Sequence, residues 1–396
     1  MNAIRQLIAL FIFNIRTLRG RLGSASAAVF GIAGVVAVLV GVLSIGEGFR
    51  RVMVVAGSPD TALVLRAGAD NEMSSVLART DVDTVADAPG VARGADGKPL
   101  ISPELYVIVD LPKRSTNTPA NVPLRGIQPG GFAIRPEVKI VEGRTFEWGK
   151  NEVIVGRGAH AEFGGTDVGA TLRFGTNVWK VVGIFEANGS ISESELWSDA
   201  AVLGPAYQRG NSHSIVITKL ASAGSYQQFK DALTSDPKVS LKVQNETEYY
   251  ESQSRTLRGL VNGLAVIVCS LMGLGAIFGA LNTMYTAVAA RAREIATLEA
   301  IGFGGFAVMV SVILESLLLA LVGGIVGALL AFVAFDGYRA ATMNWQTFSQ
   351  VAFAFDVTPR LMILAAVYAM FIGLIGGIFP AIRAARLPVS MALRER

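Results

Sequence analysis

"REIATLEAIG", Arg293 to Gly302, separates two long apolar runs. The run before it, Gly259 to Ala290, holds no charged residue, and the run after it, Phe303 to Phe335, holds one, Glu315. A chain that otherwise avoids water places two carboxylates, Glu294 and Glu299, and a glycine stop here. As a helix, this segment puts Ile295, Leu298 and Ile301 on one arc, with Glu294 within it and Glu299 near its edge. Gly302 and the Gly304–Gly305 pair end such a helix and let the chain turn back. An apolar arc is wasted in water and suits a groove on another protein, where the acids meet basic groups. From the residues alone the plainer reading, a solvated loop with a short helix, is preferred.

Working outward, the whole composition has the same character. Of 396 residues, 52% are hydrophobic and 17% charged, against about a quarter charged in a soluble domain. The deficit is uneven, so the chain reads as a membrane protein with a polar part. A formal charge of +4 does not point to nucleic acid. The single cysteine, Cys269, excludes a disulfide framework within the chain. His160 and His213 have no second ligand at metal-site spacing, so no metal site is expected.

Four segments are apolar over the roughly 20 residues a bilayer requires: about Ser26–Gly46, Val261–Met284, Phe306–Phe335 and Leu361–Phe379. The expected fold is an α-helical membrane protein with four transmembrane helices and an α+β extracytoplasmic domain between spans one and two. A cleaved signal peptide fits poorly, because the apolar region is long and starts late. Residues 1–25 carry Arg5, Arg16, Arg19 and Arg21 and no acid, and the tail carries Arg383, Arg386, Arg394 and Arg396 against Glu395. The positive-inside rule makes both termini cytoplasmic. "REIATLEAIG" is then cytoplasmic, and Glu47 to Arg258 lies outside.

Ile4, Leu7, Ile8, Phe11, Ile15 and Leu18 share a helical face, which suits an interfacial helix in contact with membrane lipid over 1–21. The remaining boundaries read as a first span over 22–46, a periplasmic domain over 47–250 and a stalk with span two over 251–290. A cytoplasmic coupling helix over 291–304, span three over 305–335, a periplasmic loop over 336–360, span four over 361–380 and a tail over 381–396 follow. The uncharged part of span two is about 48 Å long at ~1.5 Å per residue, longer than the ~30 Å hydrocarbon. A continuous stalk from the outer domain into the membrane is expected. Small-xxx-small pairs, Gly275/Gly279, Gly323/Gly327 and Gly373/Gly377, mark spans two to four for close helix packing.

In the outer stretch, "TALVLRAG", "LYVIVDL", "NEVIVG", "VWKVVGIFE", "AAVLG" and "HSIVITKL" read as strands. Met73–Arg79 and Ser225–Leu233 read as helices, Pro112–Pro123 as an exposed loop, and "HSIVITK…SYQQFKDAL…VSLKVQ" as a βαβ unit.

The search for chemistry is negative. Gly97-Lys98 and Gly149-Lys150 have Ala92 and Arg144 where a P-loop needs its first glycine, and Pro99 and Asn151 where it needs Ser or Thr. The chain is not expected to be an enzyme by itself or to hold a cofactor. Glu315, alone at membrane depth, suits a proton relay or a substrate contact. Without a second membrane acid or histidine, a structural hydrogen-bonding group tolerant of Glu315→Gln is preferred.

Arg291-x-x-Glu294-Ile295, then Ala300-Ile301-Gly302, then Glu315, resembles the permeases of the MacB, FtsX and LolC/LolE group, the mechanotransmitting ABC transporters. The tail "FPAIRAARLPVSMALR", "APGVA" and "VEGRTFEWGKNEVIVG…VWKVVGIFE" resemble the same group. The resemblance implies a bacterial inner-membrane permease without a fused ATPase, dimeric with a like or unlike second permease. It implies a separate cytoplasmic ATPase dimer holding ATP and Mg²⁺, and a periplasmic adaptor. Arg291, Glu294, Ile295, Leu298, Glu299, Ile301 and Gly302 would then form the ATPase contact. Movement would be relayed along the stalks to a porter-like domain with an inserted subdomain, driving export from the periplasm or outer leaflet. Ala296 and Glu299 depart from the group's pattern, where glycine and a basic residue are common. Two rivals are an FtsX-like signalling subunit that switches a cell-wall hydrolase, and a secondary transporter using Glu315, for which four spans and one charge are few.

Overall fold

The computed structural model describes residues 22–386. The expected interfacial helix over 1–21 and the tail beyond Arg386 lie outside the described residues. The chain forms two compact units. A membrane unit takes the chain through Glu47, Leu260–Tyr338 and the part from Phe355 onward. An extramembrane unit takes Gly48–Gly259 and Arg339–Ala354.

Among the described residues, five helices concern the membrane unit: α1 (Leu22–Val55), α2 (Glu246–Ala290), the short α3 (Ala292–Ala300), α4 (Gly305–Phe335) and α5 (Pro359–Ala384). The four long ones are long and apolar enough to cross a membrane. α2 runs unbroken for 45 residues, about 68 Å at ~1.5 Å per residue. α1 continues past Gly46 to Val55, so its last turns belong to the extramembrane unit. Thr358 starts α5 by accepting the Leu361 N–H at its Oγ1.

Close approach of backbones builds this unit. Gly327 of α4 packs directly on the Ala33 carbonyl of α1, leaving no room for a side chain. A methyl group at Gly323 would stand 2.9 Å from the Val29 carbonyl oxygen. Gly373 and Gly377 of α5 face Ala320 and Ser316 of α4, and the Ser316 hydroxyl donates to the Gly373 carbonyl at 2.5 Å. Gly275 and Gly279 of α2 differ: among the described residues, nothing lies within 4 Å of a methyl group placed there.

The extramembrane unit is built on one sheet of ten strands. They are β1 (Thr61–Arg66), β2 (Ile101–Pro112), β3 (Pro119–Ile127), β4 (Lys139–Gly143), β5 (Glu152–Gly156), β6 (Thr171–Phe174), β7 (Asn177–Glu186), β8 (Leu196–Asp199), β9 (Ile215–Lys219) and β10 (Leu241–Asn245). Their order is β10-β1-β9-β2-β3-β8-β5-β7-β4, with β6 on β7. β9, the helix Tyr226–Thr234 and β10 form a split βαβ unit, because β1 inserts antiparallel between the two strands. Apolar side chains from β2, β3, β5 and β7 enclose Trp179 and Phe163 in the larger core.

Three local expectations change. "AAVLG" is helical, within Ala200–Ala206, because the Asp199 carboxylate accepts the Ala201 N–H at 2.8 Å and caps a helix there. The first helix after β1 covers Arg79–Asp87 instead of Met73–Arg79: the Asp81 carboxylate accepts the Ala78 N–H and fixes its start. Pro119 to Pro123 lie in β3 rather than in a loop.

The segment between α4 and α5 is a β-hairpin, β11 (Arg339–Asn344) with β12 (Ser349–Ala354). It packs within the extramembrane unit: the Ala352 N–H donates to Ser194 Oγ at 3.0 Å, the Asn344 amide to Gln253 Oε1 at 2.9 Å, and Phe353 meets Phe49 edge to face.

Candidate functional site: the α2–α4 connection and a buried ionic core

A single residue, Arg291, separates α2 from α3, with φ −104° and ψ 7°. Its carbonyl accepts the Ile295 N–H at 2.9 Å and starts the short helix. The other end closes as a Schellman turn. Gly302, at φ +102°, takes the left-handed conformation, its N–H bonds to the Glu299 carbonyl, and the Phe303 N–H bonds to that of Leu298. α3 is thus a short helix with a defined start and stop on the connection between two spans.

The expected apolar arc is divided. Ile295 and Ala296 are buried, with Ile295 packed among Met284, Val288, Val308, Val312, Ala381 and Ala384. Ile301, at the C-cap, is 72% exposed. Arg293, Glu294, Thr297, Ala300 and Gly302 are exposed with it, and Leu298 and Glu299 are half-buried. Partial burial raises the Glu299 carboxyl above its ordinary range. A helical wheel locates an apolar arc, but it does not tell whether the arc meets the chain's own helices or a partner. Here the inner half meets the chain itself.

Arg291 points inward. Its Nη1 lies 2.6 Å from Glu315 Oε2, and both side chains are only 7% exposed. Ser311 and Ser316 are buried on the same helix, α4. The structure therefore joins Arg291 and Glu315, while Arg293, Glu294, Thr297 and Ile301 are exposed.

A second concentration of charge lies in the extramembrane unit. Arg125 on β3 donates from Nε and Nη2 to both oxygens of Glu195, at 2.7 Å each, and from Nη1 to Glu104 at 2.9 Å. Its Nη2 also reaches Glu72 Oε1 at 3.2 Å. Arg135 grips Glu104 with two bonds of 2.7 and 3.0 Å. The Trp197 indole donates to Glu195 at 2.7 Å, and the Tyr106 ring lies 5.1 Å from the Arg125 guanidinium. All five charged residues are buried. Burial pushes the Glu72 carboxyl up, with Arg125 only partly opposing it. Burial also pushes Glu104 up, but Arg135 and Arg125 together outweigh it and hold this carboxyl below its usual range. Glu104 is the better-served anion because two guanidinium groups face it. This cluster escaped sequence reading, since its members sit at 72, 104, 125, 135 and 195 with no common spacing. The available signal was an arginine or glutamate inside otherwise apolar strands.

Comparison with known proteins agrees with both units. The model of the MacB-like periplasmic core domain matches residues 25–236. The FtsX-like permease C-terminal model matches residues 266–389. The macrolide export ATP-binding/permease protein MacB of Nitrosomonas europaea is 25% identical over 91% of this chain and 55% of its own length. The pyoverdine export ATP-binding/permease protein PvdT of Pseudomonas entomophila is 26% identical over 91% of this chain and 56% of its own. The chain spans about half the length of the curated relatives it matches. The solved periplasmic region of MacB from Actinobacillus actinomycetemcomitans aligns with a TM-score of 0.36 at 15% identity, over 49% of this chain and 92% of that one. With four apolar spans, a mixed α/β extramembrane domain and both family models in register, the chain is a multi-pass membrane protein that belongs to the MacB/FtsX-like family of ABC transporter permeases.

Proposed function

We propose that this permease relays ATP-driven movement from a separate cytoplasmic ATPase to its extramembrane domain, driving export from the periplasm or the outer leaflet. The observation that carries this reading is the exposed face of α3, formed by Arg293, Glu294, Thr297 and Ile301, on a helix whose opposite side is anchored by Ile295 and Ala296. An anchored helix with one exposed, mixed apolar and charged face suits a protein groove. ATP and Mg²⁺ belong to the ATPase in this scheme. The termini and α3 face the cytoplasm of a bacterial inner membrane, and the extramembrane domain faces the periplasm, where an adaptor would dock. A second permease copy packs along the Gly275/Gly279 side of α2, where Leu271, Leu274 and Phe278 are exposed. The named relatives differ in what they export, macrolides in one case and pyoverdine in another, so likeness leaves the cargo open.

The test is purification of the full chain from its native membrane, with identification of the chains that accompany it. An ATP-binding chain in equal ratio is expected, with no ATP hydrolysis once it is stripped away. Specific nucleotide binding by the stripped chain, or transport driven by a proton gradient without ATP, overturns the proposal. Capture of a cell-wall hydrolase, with no cargo moved, replaces it with the signalling role.

A further inference from the structure

We propose that the Arg291–Glu315 ion pair sets the angle at which α3 leaves the membrane helices, which makes Glu315 a positioning residue for the coupling surface. Arg291 is the one residue between α2 and α3. Its side chain reaches Glu315, ten residues into α4, which is about 15 Å along that helix at ~1.5 Å per residue. Apolar contacts also hold α3 inward: Ile295 packs among Val288, Val308 and Val312. Apolar contacts are non-directional, so that cluster tolerates sliding and tilting of α3. A charge-assisted bond at 2.6 Å does not, because its strength depends on distance and angle. Breaking it leaves two charges among apolar side chains, an expensive state at membrane depth. The pair therefore supplies an orientation-dependent contact from α4 to this joint, while the apolar cluster supplies adhesion.

The same geometry speaks against the proton-relay reading of Glu315. An arginine holds its proton across the whole accessible pH range, so a relay has no continuation at Arg291. It also reverses the expected tolerance of Glu315→Gln. An amide keeps the size and polarity of the carboxylate but leaves the guanidinium without its counter-charge.

The orientation claim needs no ATPase and is tested on the full chain in nanodiscs. In a Cys269→Ala background, spin labels are placed at Thr297 on α3 and Val333 on α4, both exposed. The unaltered pair should give one narrow distance distribution. Glu315→Gln and Arg291→Gln should each broaden it roughly twofold, as a joint sampling several states would. The exchanged pair, Arg291→Glu with Glu315→Arg, should narrow it again. Where a neutral variant fails to insert, Glu315→Asp keeps the charge, shortens the reach and should shift the mean distance. Unchanged distributions in all variants overturn the proposal, as does failure of the exchanged pair to restore a well-inserted single variant. A second readout rests on the permease reading: with the ATPase present, coupled ATP turnover should fall about fivefold in the neutral variants and return in the exchanged pair. If no ATPase accompanies the unaltered chain, the permease reading fails, and the label distances still decide the role of the pair.

Discussion

Arg125 holds Glu195 through two parallel hydrogen bonds of 2.7 Å while the same guanidinium reaches Glu104 and Glu72. One cation thus neutralises parts of three buried carboxylates that come from separate segments of the extramembrane unit. Removing it takes the guanidinium away from Glu195 and Glu72 and leaves Glu104 to Arg135 alone. Arg125→Met is expected to destabilise the domain by about 3–5 kcal/mol, the range for breaking a buried ion pair from one side. Glu72→Gln should cost no more than about 1 kcal/mol, because burial already disfavours the charged form of Glu72. Denaturant unfolding followed by the fluorescence of the adjacent Trp197 measures both. Equal effects would mean that the cluster is not one unit.

The pair Arg144–Glu152 gives the domain an acid-sensitive component. Arg144 donates from Nη1 and Nη2 to the two oxygens of Glu152, at 2.7 Å each. These bonds hold the Glu152 carboxyl down to about 2, against an ordinary 4.5. A carboxyl lowered in the folded state contributes stability that is present above its unfolded value and lost as pH falls toward the folded one. Stability should therefore decline between pH 4.5 and about 2. Arg144→Gln should flatten that part of the stability–pH curve by lowering stability at neutral pH while leaving it little changed near pH 2. A curve of unchanged slope in the variant would sink this assignment.

The glycine pairs separate into two classes with different expected failures. Gly327→Leu drives a side chain into the Ala33 backbone, so the single chain should fold poorly and give little monodisperse protein in detergent. At Gly275 and Gly279 an added methyl group meets nothing within 4 Å among the described residues. The double variant Gly275→Leu with Gly279→Leu should melt like the unaltered chain and, under the proposed dimer, dissociate more readily when particle masses are measured on dilution. Normal folding of Gly327→Leu, or unchanged dissociation of the double variant, counts against the respective half.

Charge reversal addresses the exposed face of α3. Glu294→Lys with Glu299→Lys should leave membrane insertion and the melting of the extramembrane unit intact. Glu294 is exposed and Glu299 half-buried, and the fully buried residues of α3 are Ile295 and Ala296. The expected loss is confined to ATPase co-purification and ATP-dependent function. A variant that retains its ATPase at the original ratio shows that α3 is not the contact.

The four spans were legible in the sequence because a run of some twenty apolar residues has few other uses. The family followed from the spacing of Arg291, Glu294, Gly302 and Glu315. Less was legible where a local capping residue competed with composition, as when Asp199 turned an apparent strand into the helix Ala200–Ala206. The β11–β12 hairpin was hidden for another reason. Its alternation over "RAATMN" and "SQVAFA" is short, and between two spans it reads as a simple connection. The inward direction of Arg291 has no signature in one dimension, since a buried ion pair needs Glu315 to face it from a different helix.

The hairpin also makes the extramembrane unit a composite of two stretches of chain, Gly48–Gly259 and Arg339–Ala354. A fragment cut at its first and last obvious borders, 48–259, would leave Phe49 without its aromatic neighbour Phe353 and Gln253 without Asn344. Recombination between relatives meets the same constraint. A grafted extramembrane domain carries its own surface for the hairpin, so the short strand pair between α4 and α5 must travel with it. Two distant segments of the gene are thereby bound to change together.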